Sequence, residues 1–152
     1  MSRVACQTRV DLGRIDFTKL LEDLVRDRGE ALARQAKFVP GSEYHRELVY
    51  TAPGVEAWIL SWLPGQVTPI HDHGGIVTVT TVLCGTVFEE RFERTSGAEV
   101  RATPTWTSVR APGEIDPIEL EAIHRVRPVG SAVTLHLYAP GCTDGQIYQA
   151  VA

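Results

Sequence analysis

Cysteine is scarce in this 152-residue chain: only Cys6, Cys84 and Cys142, far apart and in no CxxC pair. An odd, scattered set builds neither a disulfide framework nor a thiolate zinc site, so free thiols and a reducing, cytoplasmic setting are expected. Positive charge is also short. The 15 Lys and Arg against 19 Asp and Glu leave a net charge of −4, which argues against a phosphate-tracking surface and against nucleic acid as a partner. No apolar run approaches the roughly 20 residues of a membrane span, and the opening MSRVACQTRV has no signal-peptide apolar stretch, so no membrane partner is expected. The GxGxxG loop, the P-loop and the βαβ pattern are missing, as are repeats, low-complexity tracts and linkers. One domain over residues 1–152 is expected, long enough to bury a hydrophobic core.

What is present begins with a helix. Leu20, Leu21, Leu24 and Val25 recur at helical spacing after Phe17, and Asp16 is suited to cap the start. Gly29 breaks the pattern, and Ala31 to Ala36 reads as a second short helix, placing helices over about 16–37. After Pro40 come short segments rich in Val, Ile, Thr and aromatics: VEAWILSWL, IVTVTTVLCG, TVFEERFER, SVRAPGE, HRVRP and AVTLHLYAPG. Turn signals roughly every 8–12 residues predict an all-β sandwich or barrel over about 44–150, with a short N-terminal α-helical cap.

Five histidines are available, and two of them fall in TPIHDHGG. Residues i and i+2 of an extended strand share a face, with Cα atoms about 7 Å apart, so His71 and His73 can converge on one point. Asp72 then points the other way. The frame from Gly65 through His71 and His73 to Gly85 resembles the first metal motif of the cupin superfamily. A typical cupin places a glutamate ligand shortly after the second histidine. Here Gly74, Gly75, Ile76, Val77 and Thr78 follow, so that carboxylate is absent. His124, in AIHRVRP, sits where the second cupin motif would supply the last ligand. Three neutral imidazoles with open positions describe a catalytic zinc site as well, while iron(II) more often has two histidines and a carboxylate; spacing does not decide the metal.

Four motifs together are similar to the cysteine dioxygenase family of thiol dioxygenases. They are YHRELV (Tyr44 to Val49), WLPGQVTPIHDH (Trp62 to His73), AIHRV (Ala122 to Val126) and TLHLYAPG (Thr134 to Gly141). The resemblance implies a cupin-type β-barrel, or jelly roll, with Fe(II) held by His71, His73 and His124. It implies that Arg46 grips a substrate carboxylate, a job suited to a planar, bidentate guanidinium, with Tyr44 as its neighbour. Members that oxidise 3-mercaptopropionate carry glutamine at this position, so Arg46 favours cysteine. The family's Ser-His-Tyr relay falls on Thr134, His136 and Tyr138, where threonine keeps the hydroxyl. In animal members a cysteine is bonded to that tyrosine; its position here is Thr78, so no thioether is expected, and Cys84 is expected to pack as a small apolar residue.

The implied reaction turns L-cysteine and O2 into cysteine sulfinic acid without 2-oxoglutarate, flavin or nicotinamide. The implied partners are a small thiol and O2, and the chain is a monomer or a homodimer. Three other readings remain: the same chemistry on 3-mercaptopropionate, cysteamine or another thiol, a non-catalytic ligand-binding cupin, and a zinc hydrolase or isomerase.

Overall fold

The computed structural model describes residues 16–141 and 145–152; Cys6 and Cys142, two of the expected free thiols, lie outside the described residues. The Asp16 side chain accepts the Lys19 backbone N–H at 3.0 Å and caps α1 (Phe17–Arg34), as its position predicts. The interruption expected at Gly29 does not occur. One helix runs through it, and Ala31 to Arg34 form its last turn rather than a second helix. Gly29 is buried against the side chains of Val25 and Leu83. Tertiary packing thus outweighs the ~1 kcal/mol by which glycine disfavours a helix.

Strands follow in chain order. The first half contains β1 (His45–Ala52), β2 (Val55–Trp62), β3 (Ile70–His71), β4 (Val77–Cys84), β5 (Val87–Arg91) and β6 (Arg94–Ser96). Then come β7 (Glu99–Arg101), β8 (Trp106–Arg110), β9 (Ile115–Ile118), β10 (His124–Pro128), β11 (Ala132–Ala139) and β12 (Ile147–Val151). They form two sheets, ordered β1-β2-β11-β4-β9 and β6-β7-β12-β3-β10-β5-β8. All pairings are antiparallel except that of β12 with β7. Among the described residues the sheets curl into a half-barrel with one helix outside, the all-β architecture that the turn spacing predicts with the N-terminal cap that the leucine pattern predicts.

The two-residue period of a strand decides what each side chain meets. Leu135, Leu137 and Ala139 of β11 join Ala57, Ile59 and Val79 beneath Leu21, Leu24 and Leu32 of α1. The alternate residues turn inward, where Leu60, Trp62 and Val82 of the first sheet meet Val87 of the second. All of β11 is therefore buried. Gly85 closes the β4–β5 turn at φ +77, and a Cβ there would lie 2.3 Å from the Ser131 carbonyl oxygen, so the position requires glycine. Cys84 departs from expectation: it ends β4 beside this turn and is exposed rather than packed inside. Among the described residues, no helix is long and apolar enough to cross a membrane.

Candidate metal centre and pocket

Strand pairing brings the histidines together. His71 ends β3 and faces His124, the first residue of β10, in register; His73 follows two residues later. The ring centroids lie 5.1 Å (His71–His73), 4.7 Å (His71–His124) and 4.8 Å (His73–His124) apart, and a candidate ligand atom from each falls within 4.8 Å of the others. His73 and His124 are buried, His71 partly so.

Burial, then the neighbouring His124, pushes the pKa of His71 down to about 4. The same causes, with His71 added, push His73 down to about 3. Both rings are therefore neutral at neutral pH and offer lone pairs. His71 Nδ1 donates to the Pro69 carbonyl at 2.8 Å, and His124 Nδ1 donates to Glu89 Oε1 at 2.9 Å, which leaves each Nε2 free. His73 Nδ1 is buried and has no partner among the described residues. Three imidazole donors, one of them holding an orphaned buried nitrogen, fit a divalent metal ion.

These shifts set a pH dependence for the metal-free protein. Burial, then His73, also pushes His136 down to about 3. An unfolded histidine titrates near 6.5, so unfolding below that pH takes up protons that the folded chain refuses. The histidine contribution to stability is complete above about 6.5 and is lost as pH falls toward 4 and 3. Asp116, which burial raises to about 6, works in the opposite direction, and the three histidines outweigh it. The apo-protein should melt at a lower temperature at about pH 5 than at about pH 7. An unchanged or higher Tm at the acid end would contradict this assignment.

Asp72, between the first two histidines, points away from them. Its Oδ1 accepts the backbone N–H groups of Gly74 (3.0 Å) and Gln146 (2.8 Å), and the Tyr148 hydroxyl donates to Oδ2 at 2.8 Å. Burial is the largest single influence and pushes its carboxyl upward, but these bonds together outweigh it and hold the carboxyl below the usual range. Asp72 thereby ties the start of β12 to the histidine loop and sets Ile147 at the mouth of the pocket.

On β11, Thr134, His136 and Tyr138 share the inward face. Trp62 Nε1 donates to Thr134 Oγ1 at 2.9 Å, and Thr134 Oγ1 lies 2.8 Å from His136 Nε2. Tyr138 Oη lies 3.4 Å from His136 Nδ1. An indole only donates, so Thr134 accepts from Trp62; its hydroxyl has no other acceptor among the described residues, and its own hydrogen therefore goes to Nε2. The ring proton of His136 then sits on Nδ1, toward Tyr138, and leaves the phenolic hydrogen free for the pocket. Burial raises the pKa of Tyr138 despite Arg46, so it stays a phenol. Thr78 is the cross-strand partner of Tyr138, and its buried Oγ1 has no partner among the described residues.

The pocket itself has a volume of about 240 Å³ and is lined by Tyr44, Arg46, His71, His73, Tyr138 and Ile147, among others. Arg46 on β1 lies over the Trp58 ring at 4.9 Å, and Tyr44 stacks on Trp62 at 4.2 Å. Among the described residues no carboxylate lies within ion-pairing distance of Arg46. The residues singled out in the sequence thus gather at one end of the barrel.

Several participants escaped sequence reading. Glu89 and Trp58 carry no motif of their own, and Trp62, which opens WLPGQVTPIHDH, gives no sign of its bond to Thr134; only the fold shows that Glu89 turns inward to His124. A glutamate pair inside the strand segment TVFEERFER was the available signal, since adjacent strand residues face opposite ways and one of the two must face the other sheet.

Similarity to known proteins bears on the same features. The profile of the cysteine dioxygenase type I family matches residues 9–150. Among solved structures, TT1209 from Thermus thermophilus is 25% identical, with a TM-score of 0.58 over 72% of this chain and 94% of that one. An uncharacterized conserved protein with a double-stranded β-helix domain from Klebsiella pneumoniae is 14% identical, with a TM-score of 0.61 over 78% and 94% of the two chains. An RmlC-like cupin protein from Desulfovibrio desulfuricans is 18% identical, with a TM-score of 0.54 over 70% and 92%. The latter two likenesses establish the cupin fold. The family match with the three-histidine cluster indicates a metal-dependent cupin enzyme. A match that spans nearly all of the chain, over a barrel whose histidines converge, settles its kinship: the chain belongs to the cysteine dioxygenase type I family.

Proposed function

We propose that this protein is a thiol dioxygenase that uses Fe(II) at His71, His73 and His124 to convert L-cysteine and O2 into cysteine sulfinic acid. One observation carries the reading: a single pocket is lined by His71, His73, Arg46 and Tyr138. A carboxylate, a thiol and an oxygen atom each find a partner there.

When bound, iron(II) would supply open positions where a thiolate and dioxygen meet, and it would favour the thiolate over the thiol. The chain's own groups do the rest. Arg46, held on the Trp58 ring, receives the substrate carboxylate in two charge-assisted hydrogen bonds. Tyr44, stacked on Trp62 and kept protonated by burial, walls the same side and offers a hydroxyl donor. Tyr138, oriented by His136 and Thr134, donates its phenolic hydrogen toward oxygen as charge develops there. Both oxygen atoms end on sulfur, which loses four electrons, and the thiol proton leaves to solvent because the sulfinate is ionised. No other reductant is required. A cytosolic monomer or homodimer suits a small, soluble substrate.

The test is oxygen uptake by the Fe(II)-loaded protein with L-cysteine under 18O2, read by mass spectrometry. Two labelled atoms per sulfinate are expected. Iron bound in full with no uptake on cysteine would overturn the substrate assignment, and a panel of 3-mercaptopropionate and cysteamine would then identify the thiol.

A further inference from the structure

The three histidines lack the carboxylate ligand of a typical cupin, yet a buried carboxylate stands directly behind one of them. Glu89 on β5 is 2% exposed, and its Oε1 accepts from His124 Nδ1 at 2.9 Å. A charge so enclosed needs compensation, and the fold provides it. Arg91 Nε lies 3.3 Å from Oε1 and Arg110 Nε lies 3.6 Å from Oε2. Both guanidinium groups stack on the Trp106 ring, at 4.8 Å and 5.3 Å, and Arg110 also pairs with Asp116 at 2.9 Å. β5, β8 and β9 together fix this one carboxylate.

We propose that Glu89 is the positioning residue for His124: it keeps the ring proton on Nδ1, turns Nε2 toward the metal, and lends the all-imidazole ligand set part of a negative charge through that ring. The inference rests on the reading of His71, His73 and His124 as a metal site. A carboxylate acceptor orients a ligating imidazole and raises its basicity. The His71 ring has only a neutral backbone carbonyl in the corresponding role. The charge that a direct glutamate ligand brings to other cupins would then enter here one hydrogen bond away.

The adjacent residue is a natural control. Glu90 is also buried on β5, but it pairs with Arg125 at 2.8 Å and does not touch His124. The experiment is anaerobic Fe(II) titration of the full chain against a chromophoric chelator, with the potential of the bound iron couple measured in parallel. Glu89→Gln should weaken Fe(II) binding roughly 10–100-fold. It should also raise the potential, because a less electron-rich imidazole favours the reduced ion. Glu90→Gln should leave both unchanged. Wild-type protein that binds no Fe(II) would defeat the metal reading itself. Wild-type binding with an unchanged Glu89→Gln affinity, or an equal loss in Glu90→Gln, would overturn only the role of Glu89.

Should Glu89→Gln not fold, the wild-type chain decides. With 15N-labelled histidine and Zn(II) as a diamagnetic probe, His124 should show a low-field proton on Nδ1. A proton found on Nε2 instead would overturn the proposal.

Discussion

Replacing His73 by alanine should abolish stoichiometric Fe(II) binding and lower cysteine turnover by several orders of magnitude, while the apo-protein stays folded. The asymmetry follows from what the side chain does without metal. Its Nδ1 is buried and unpartnered among the described residues, so truncation breaks no hydrogen bond seen there and removes a desolvation cost from the folded state. The cavity left behind works in the other direction, and the two effects should keep the apo-protein Tm within about 8 °C of wild type. Metal analysis after loading, an oxygen electrode and a thermal melt measure the three quantities. A variant that retains one iron per chain and normal turnover would remove His73 from the ligand set and the proposed centre with it.

Arg46→Gln should lower kcat/KM for L-cysteine by roughly 10–100-fold, the value of a lost bidentate, charge-assisted contact. Cysteamine, which has no carboxylate, should be affected little. Because Arg46 pairs with no carboxylate among the described residues, its removal strands no opposite charge. The stability loss should stay within about 1 kcal/mol, the scale of its stacking on Trp58. The comparison of two thiols separates carboxylate recognition from general damage. Equal losses on both substrates would show that Arg46 shapes the pocket rather than reading the carboxylate.

The legibility of this molecule followed the range of the forces involved. The Asp16 cap and the apolar stripe of α1 are local and could be read directly, as could the alternation that makes β2, β4 and β11 strands. The HxH pair was legible because spacing of two in an extended backbone puts His71 and His73 on one side, although β3 itself ends at His71 and His73 lies just beyond it. Gly29 misled because helix propensity is local, whereas its packing against Leu83 is tertiary. Cys84 misled for the related reason that its neighbours are set by the turn at Gly85. Glu89 lies 35 residues from His124, and no spacing rule links them; only the pairing of β5 with β10 does. The tie from Asp72 to Gln146 and Tyr148 is equally invisible, since it depends on β12 returning beside β3.

The complete burial of β11 has a consequence for how this protein can change. Alternate positions of the strand answer to different demands. Leu135 and Leu137 touch the helix layer, and their substitution alters how much heat the fold survives. Thr134, His136 and Tyr138 face the chamber, and theirs alters which reaction the chamber supports. Because neighbours in sequence are strangers in space, durability and chemistry can be retuned along one short strand almost independently, one letter at a time.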